Sequence, residues 1–121
     1  MLATDASAEA LALVARNADA NDVRIETARV DWFEPDGLVG LVGLDELVER
    51  GPFDLVLAAD VLYEAANVAP LLSLLPRLAP EAWLADPGRP AAEAFLELAR
   101  GRWSIETRVR GVVRIHRLKL G

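Results

Sequence analysis

The chain has no cysteine, one histidine and one tyrosine among its 121 residues. Without cysteine, disulfides and thiolate metal sites are both excluded. The single histidine, His116, lies among arginines in a strand-like segment. It has no partner at metal-ligand or triad spacing, so no role follows for it. No apolar run approaches the roughly 18 residues of a membrane span. No basic start followed by an apolar stretch marks a signal peptide. A cytoplasmic protein without a membrane partner is therefore expected.

Basic residues are scarce until the end of the chain. Residues 1–99 carry 18 acidic and 6 basic side chains, whereas residues 100–121 carry one acidic and seven basic. The net charge of −6 argues against nucleic acid as the main partner. The basic end reads either as a docking face or as a solvated sheet face that offsets the acidic remainder. Apolar residues make up 53% of the chain, enough for a core of its own. The length predicts one domain over 1–121.

Periodicity divides the chain. Residues 7–21 predict a helix capped by Ser7, with Glu9 in its first turn and Leu11, Val14, Ala15 and Ala18 on one stripe. Residues 23–32 begin with alternation, Val23 and Ile25 against Arg24 and Glu26, and predict a strand. Proline and glycines mark 33–43 as a loop, and 44–50 predicts a short helix closed by Gly51 and Pro52. "FDLVLAAD" (53–60) is apolar on both alternating faces, the pattern of a parallel strand covered on both sides. Residues 67–79 predict a helix with Asn67 as cap, 82–86 a strand, and 91–101 a helix with Gly101 in the stop position. The segment 103–120 alternates on both sides of Arg110–Gly111 and predicts a hairpin. Strands alternating with helices imply an α/β sheet, here with a closing antiparallel pair.

The predicted strands end in acid: Asp31, Asp60, Asp86 and, after the first few residues, Asp5. In open α/β sheets the ligand crevice lies outside the carboxyl ends of the strands. One such acid is ordinarily a cap or turn former; four at strand ends point to a site. Asp60 is followed by Tyr63 and Glu64, which otherwise read as a rim aromatic and a first-turn helix residue.

"LATDASAEALALVARNA", "RVDW", "GPFDLVLAADVLYE" and "WLADPGRP" resemble the part of class I S-adenosylmethionine-dependent methyltransferases that follows their glycine-rich turn. The likeness is greatest to the seven-strand protein-lysine methyltransferases, and "DPGRP" is similar to the group acting on the electron-transfer flavoprotein β subunit and its bacterial relatives. The resemblance implies a Rossmann-like methyltransferase sheet with a C-terminal antiparallel hairpin, with S-adenosylmethionine as cofactor and a protein lysine as acceptor. It implies that Asp5 accepts from the ribose hydroxyls and that Asp31 and Trp32 flank the adenine. Asp60 and Tyr63 would lie by the methyl group as catalytic residues, Asp60 also touching cofactor. Glu64, Asp86 and Arg89 would contact substrate, or Asp86 and Arg89 would brace a rigid turn built by Pro87, Gly88 and Pro90. No metal is implied.

The family pattern also has a first strand, a helix and a glycine-rich turn before the position of Asp5. Here Met1 stands almost at Asp5, and the spacing Gly37, Gly40 and Gly43 falls in another loop. The strands on either side of that absent central strand are expected to show apolar edges. The alternatives are a fragment or late start of a longer methyltransferase, completion by a second copy or a separate N-terminal segment, and a non-catalytic interaction module. A nicotinamide-dependent oxidoreductase is the other enzyme class, since an acid after its second strand also reads ribose.

Overall fold

A computed structural model describes residues 1–37 and 39–121; Leu38, in the predicted loop, lies outside the described residues. The chain divides into two compact units, Met1–Leu47 and Val48–Gly121.

In the first unit, strand β1 (Leu2–Asp5) pairs in parallel with β2 (Glu26–Arg29), Asp5 opposite Arg29. Helix α1 (Ala8–Ala20) joins them and packs on both. Ser7 caps it as expected, its hydroxyl accepting from the Ala10 N–H at 3.2 Å. The second strand is shorter and later than alternation predicted. Val23 and Ile25 precede it, and Val23 is exposed. The Val23 N–H is taken by the Ala18 carbonyl, so this residue finishes the helix terminus and cannot join the ladder.

The loop after β2 folds back on itself, with the Leu44 N–H donating to the Pro35 carbonyl. A Cβ on Gly37 would stand 3.0 Å from the Gly43 nitrogen. Gly37 and Gly43 therefore allow two backbone segments to approach each other, whereas Gly40 has open space around it. Helix α2 (Leu44–Glu49) follows and runs across the division between the units.

The second unit holds a mixed four-stranded sheet in the order β3 (Val56–Ala59), β4 (Glu81–Asp86), β6 (Val113–Leu120), β5 (Trp103–Arg110). β3 and β4 are parallel, whereas β6 runs antiparallel to both of its neighbours. The predicted hairpin is present, with Gly111 at φ 63° in the first position of a two-residue loop. A 3₁₀ turn (Ala65–Asn67) and helix α3 (Val68–Leu78) lie between β3 and β4, and α4 (Pro90–Ala99) between β4 and β5.

One face of the sheet is buried: Ala82 and Leu84 on β4, His116 and Leu118 on β6, Trp103 on β5. The buried stripes of α3 (Leu71, Leu74, Leu75, Leu78) and α4 (Phe95, Leu96, Ala99) are the other large apolar surfaces withdrawn from water in this unit, so they cover that face.

The opposite face is not covered, which corrects the expectation for 53–60. Leu57 is 61% exposed and Trp83 39%. Within this sheet β3 is an edge strand that pairs with β4 alone. Asn67 also departs from expectation. It stands at the cap position of α3, but its amide donates to the Val61 carbonyl at 3.0 Å and caps nothing.

Candidate functional site

The strand-end acids come together in pairs, one pair in each unit. In the first, Asp5 ends β1, and Asp31 lies two residues past the position that faces it on β2. Each makes the same local turn. Asp5 Oδ1 accepts from the Ser7 N–H at 2.8 Å, and Asp31 Oδ1 from the Phe33 N–H at 2.9 Å. The turn-forming alternative is thus realised, but it uses one oxygen of each carboxylate. The second oxygen of each has no partner among the described residues and remains an acceptor. Trp32 beside Asp31 is half-buried, and Phe33, which the sequence did not single out, is exposed.

In the second unit, Ala59 on β3 faces Ala85 on β4, so Asp60 and Asp86 are adjacent strand ends. Their environments differ sharply. Asp86 is buried, and both of its oxygens are in use. Oδ1 accepts from the Gly88 N–H at 2.5 Å and the Arg89 N–H at 2.9 Å, and Oδ2 faces His116 Nε2 at 2.7 Å. Burial pushes its pKa up, but the hydrogen bond from His116 and those from the two amides outweigh this and hold the carboxyl below its usual range.

Asp60 is half-exposed and has φ 51°, a left-handed backbone uncommon outside glycine. Its N–H donates to the Ala85 carbonyl at 2.8 Å. Arg89 grips it with both arms, Nε to Oδ1 at 3.0 Å and Nη2 to Oδ2 at 2.9 Å. That hydrogen-bonded pair lowers the Asp60 pKa and raises that of Arg89. An uncommon backbone conformation and a bidentate partner at a strand end make Asp60 a candidate site position.

Tyr63 and Glu64 follow in the segment leading to the 3₁₀ turn. Tyr63 is 60% exposed. Glu64 has an extended backbone and precedes the turn, so it is not a first-turn helix residue. Leu62 between them and Asp60 is buried and anchors the segment, as does the Asn67 amide on the Val61 carbonyl.

Sequence reasoning missed His116. Its ring is buried, with Nδ1 2.8 Å from Thr107 Oγ1 and Nε2 on Asp86. The hairpin register puts Thr107 directly opposite His116. Placing the two-residue loop in the sequence would have been enough to pair them.

A family model described as "lysine methyltransferase" matches residues 1–83. A search of curated proteins found no match. Among solved structures, the 16S rRNA methylase RmtB superposes with a TM-score of 0.66 at 18% identity, over 99% of this chain and 46% of that one. A methyltransferase from Geobacter sulfurreducens gives 0.63 at 15% identity, over 99% and 58%. A methyltransferase from Pyrococcus furiosus gives 0.63 at 19%, over 98% and 61%. The fold is thus an α/β, Rossmann-like methyltransferase fold, and the chain spans about half the length of these structures.

Proposed function

Because the chain belongs to that lysine methyltransferase family, we propose that it serves S-adenosylmethionine-dependent methyl transfer to an amine, with a protein lysine as acceptor. The observation that carries this reading is Asp60, held at positive φ at the end of β3 by a bidentate Arg89 and followed by the exposed Tyr63.

The donor set of the first unit fits the cofactor. Asp5 and Asp31 each keep one carboxylate oxygen without a partner among the described residues, at the ends of adjacent parallel strands. Hydroxyl and amino hydrogens are the complement of such acceptors, so Asp5 would take the ribose and Asp31 the adenine, with Trp32 beside the ring. Bound there, S-adenosylmethionine supplies an electrophilic methyl group. The chain's own work is to place the acceptor amine and withdraw it from water. Asp60 and Glu64 attract a cationic lysine side chain, and Tyr63 orients its nitrogen once the proton has left. Arg89 sets the Asp60 carboxylate, and Asp86, with no oxygen to spare, holds the turn behind it. Both units belong to one methyltransferase domain in this reading.

RNA is the second acceptor class, favoured by one observation. On the open face of the sheet, Trp83 lies in a hollow of about 260 Å³ with Arg108, Arg110 and Arg117. An exposed aromatic among arginines on a sheet is a platform for a stacked base. The net charge that argued against nucleic acid does not describe this face.

The test is calorimetric titration of S-adenosylmethionine into the chain, followed by transfer assays with lysine-bearing protein and with RNA. One-to-one binding that weakens in Asp5→Asn, with transfer lost and binding kept in Asp60→Asn, supports the reading. Normal transfer by Asp60→Asn removes Asp60 from the site.

A further inference from the structure

We infer that His116 is a positioning residue: through Asp86 it fixes the turn from which Arg89 grips the Asp60 carboxylate. Its functional consequence rests on the reading of Asp60 as a site residue; the structural relation does not.

Donors and acceptors determine the arrangement. An ionised Asp86 only accepts, so the contact at 2.7 Å requires His116 Nε2 to donate. Nδ1 then faces Thr107 Oγ1 at 2.8 Å. In the neutral ring Nδ1 accepts from the hydroxyl, and in the charged ring it donates to the hydroxyl oxygen. The chain Thr107–His116–Asp86 is satisfied either way. His116 and Asp86 are buried and Thr107 is exposed, and no buried side-chain polar atom among the described residues lacks a partner.

The other oxygen of Asp86 collects the amides of Gly88 and Arg89. Gly88 has φ 96°, which lets the backbone turn tightly enough for both N–H groups to reach one atom. The carboxylate is therefore held at both ends, by the hairpin through His116 and by the turn through the amides. Arg89 leaves that turn and reaches Asp60 on the adjacent strand.

This anchoring matters because the Arg89–Asp60 pair is exposed: each side chain retains 45% of its accessibility. Exposed pairs gain little when two free side chains must be ordered to make them. The grip is effective where one partner is already placed. Asp60 is placed by its backbone, and Arg89 by a turn bound to a buried carboxylate. His116 is the link that keeps this carboxylate from rotating away with the turn.

Nuclear magnetic resonance tests the inference without requiring activity. In the unaltered chain the neutral His116 ring is expected to carry its proton on Nε2. The Arg89 Nε–H is expected to be protected from exchange, and Asp60 to titrate below an ordinary aspartate. His116→Leu should lose the Arg89 Nε–H protection and move the Asp60 midpoint upward while the remaining backbone spectrum is preserved. His116→Gln, whose amide can donate towards Asp86, should restore both. A folded His116→Leu with Arg89 and Asp60 unchanged overturns the inference. So does a neutral His116 protonated on Nδ1, a measurement that stands even where the leucine variant fails to fold. If Asp60 shifts as expected but methyl transfer is unaffected, the positioning relation holds and the reading of Asp60 as a site residue fails.

Discussion

Replacing Asp86 by alanine removes three hydrogen bonds of unequal weight. The contact to His116 joins side chains that are 5% and 4% exposed, so the orphaned Nε2–H has no water to turn to. Leaving such a donor unsatisfied costs about 1–3 kcal/mol. The Gly88 and Arg89 amides belong to exposed residues, where solvent can replace the lost oxygen, and together they add about 1 kcal/mol. Asp86→Ala should therefore destabilise the chain by about 2–4 kcal/mol, a large part of the roughly 5–15 kcal/mol typical of a domain. Urea denaturation followed by circular dichroism should show the midpoint falling by on the order of 1–2 M at unchanged slope.

The pH dependence gives a second readout. The folded Asp86 carboxyl lies below its usual range. Its contribution is thus complete above the ordinary aspartate pKa and is lost as pH falls through the folded value. The gap between the unaltered chain and Asp86→Ala should narrow on acidification. A loss under about 0.5 kcal/mol at neutral pH, within the range of ordinary surface substitutions, would refute the account of Asp86 as a buried tether.

Three further outcomes follow from the same geometry. Phe95, fully buried, should cost about 3–5 kcal/mol on truncation to alanine, whereas Leu57→Lys on the open edge strand should stay within about 0.5 kcal/mol; urea melts compare them. Arg89→Ala should raise the Asp60 titration midpoint, followed by its carboxyl carbon shift, because the guanidinium is what depresses it. Asp5→Asn keeps an oxygen for the Ser7 amide but turns the free oxygen into a donor, so S-adenosylmethionine affinity should fall about tenfold or more by calorimetry while stability is kept.

Local rules carried far into this fold. Ser7 caps α1, the leucine stripe of 67–79 makes α3, and the alternation around Gly111 makes the hairpin, because in each case one short segment contains the whole determinant. Where the determinant lay elsewhere, the sequence misled. The apolar residues 55–59 read as a strand buried on both faces, yet burial depends on what covers a strand, and Leu57 is open. Val23 and Ile25 alternate, but the Ala18 carbonyl claims the Val23 amide first. His116 looked partnerless because its partner lies 30 residues away on the neighbouring strand, and only the β4–β6 register brings Asp86 to it.

The four strand-end acids were legible as a set, but their division of labour was not, since each carboxylate has two oxygens and the sequence does not say where either goes. Asp5, Asp31 and Asp86 each give one oxygen to the amide two residues on. For the first two this leaves an acceptor without a partner among the described residues; for Asp86 the second oxygen goes inward to His116 and is withdrawn from any ligand. Asp60 alone has no amide turn among its hydrogen bonds. Its backbone is left-handed, and both of its oxygens rest on an exposed guanidinium. That contact is open to solvent, so an incoming ammonium can reach this carboxylate, as it cannot reach the buried one next door. Of the two adjacent acids, the exposed one is therefore the one that a ligand can reach, and the buried one holds the turn that carries its Arg89 partner.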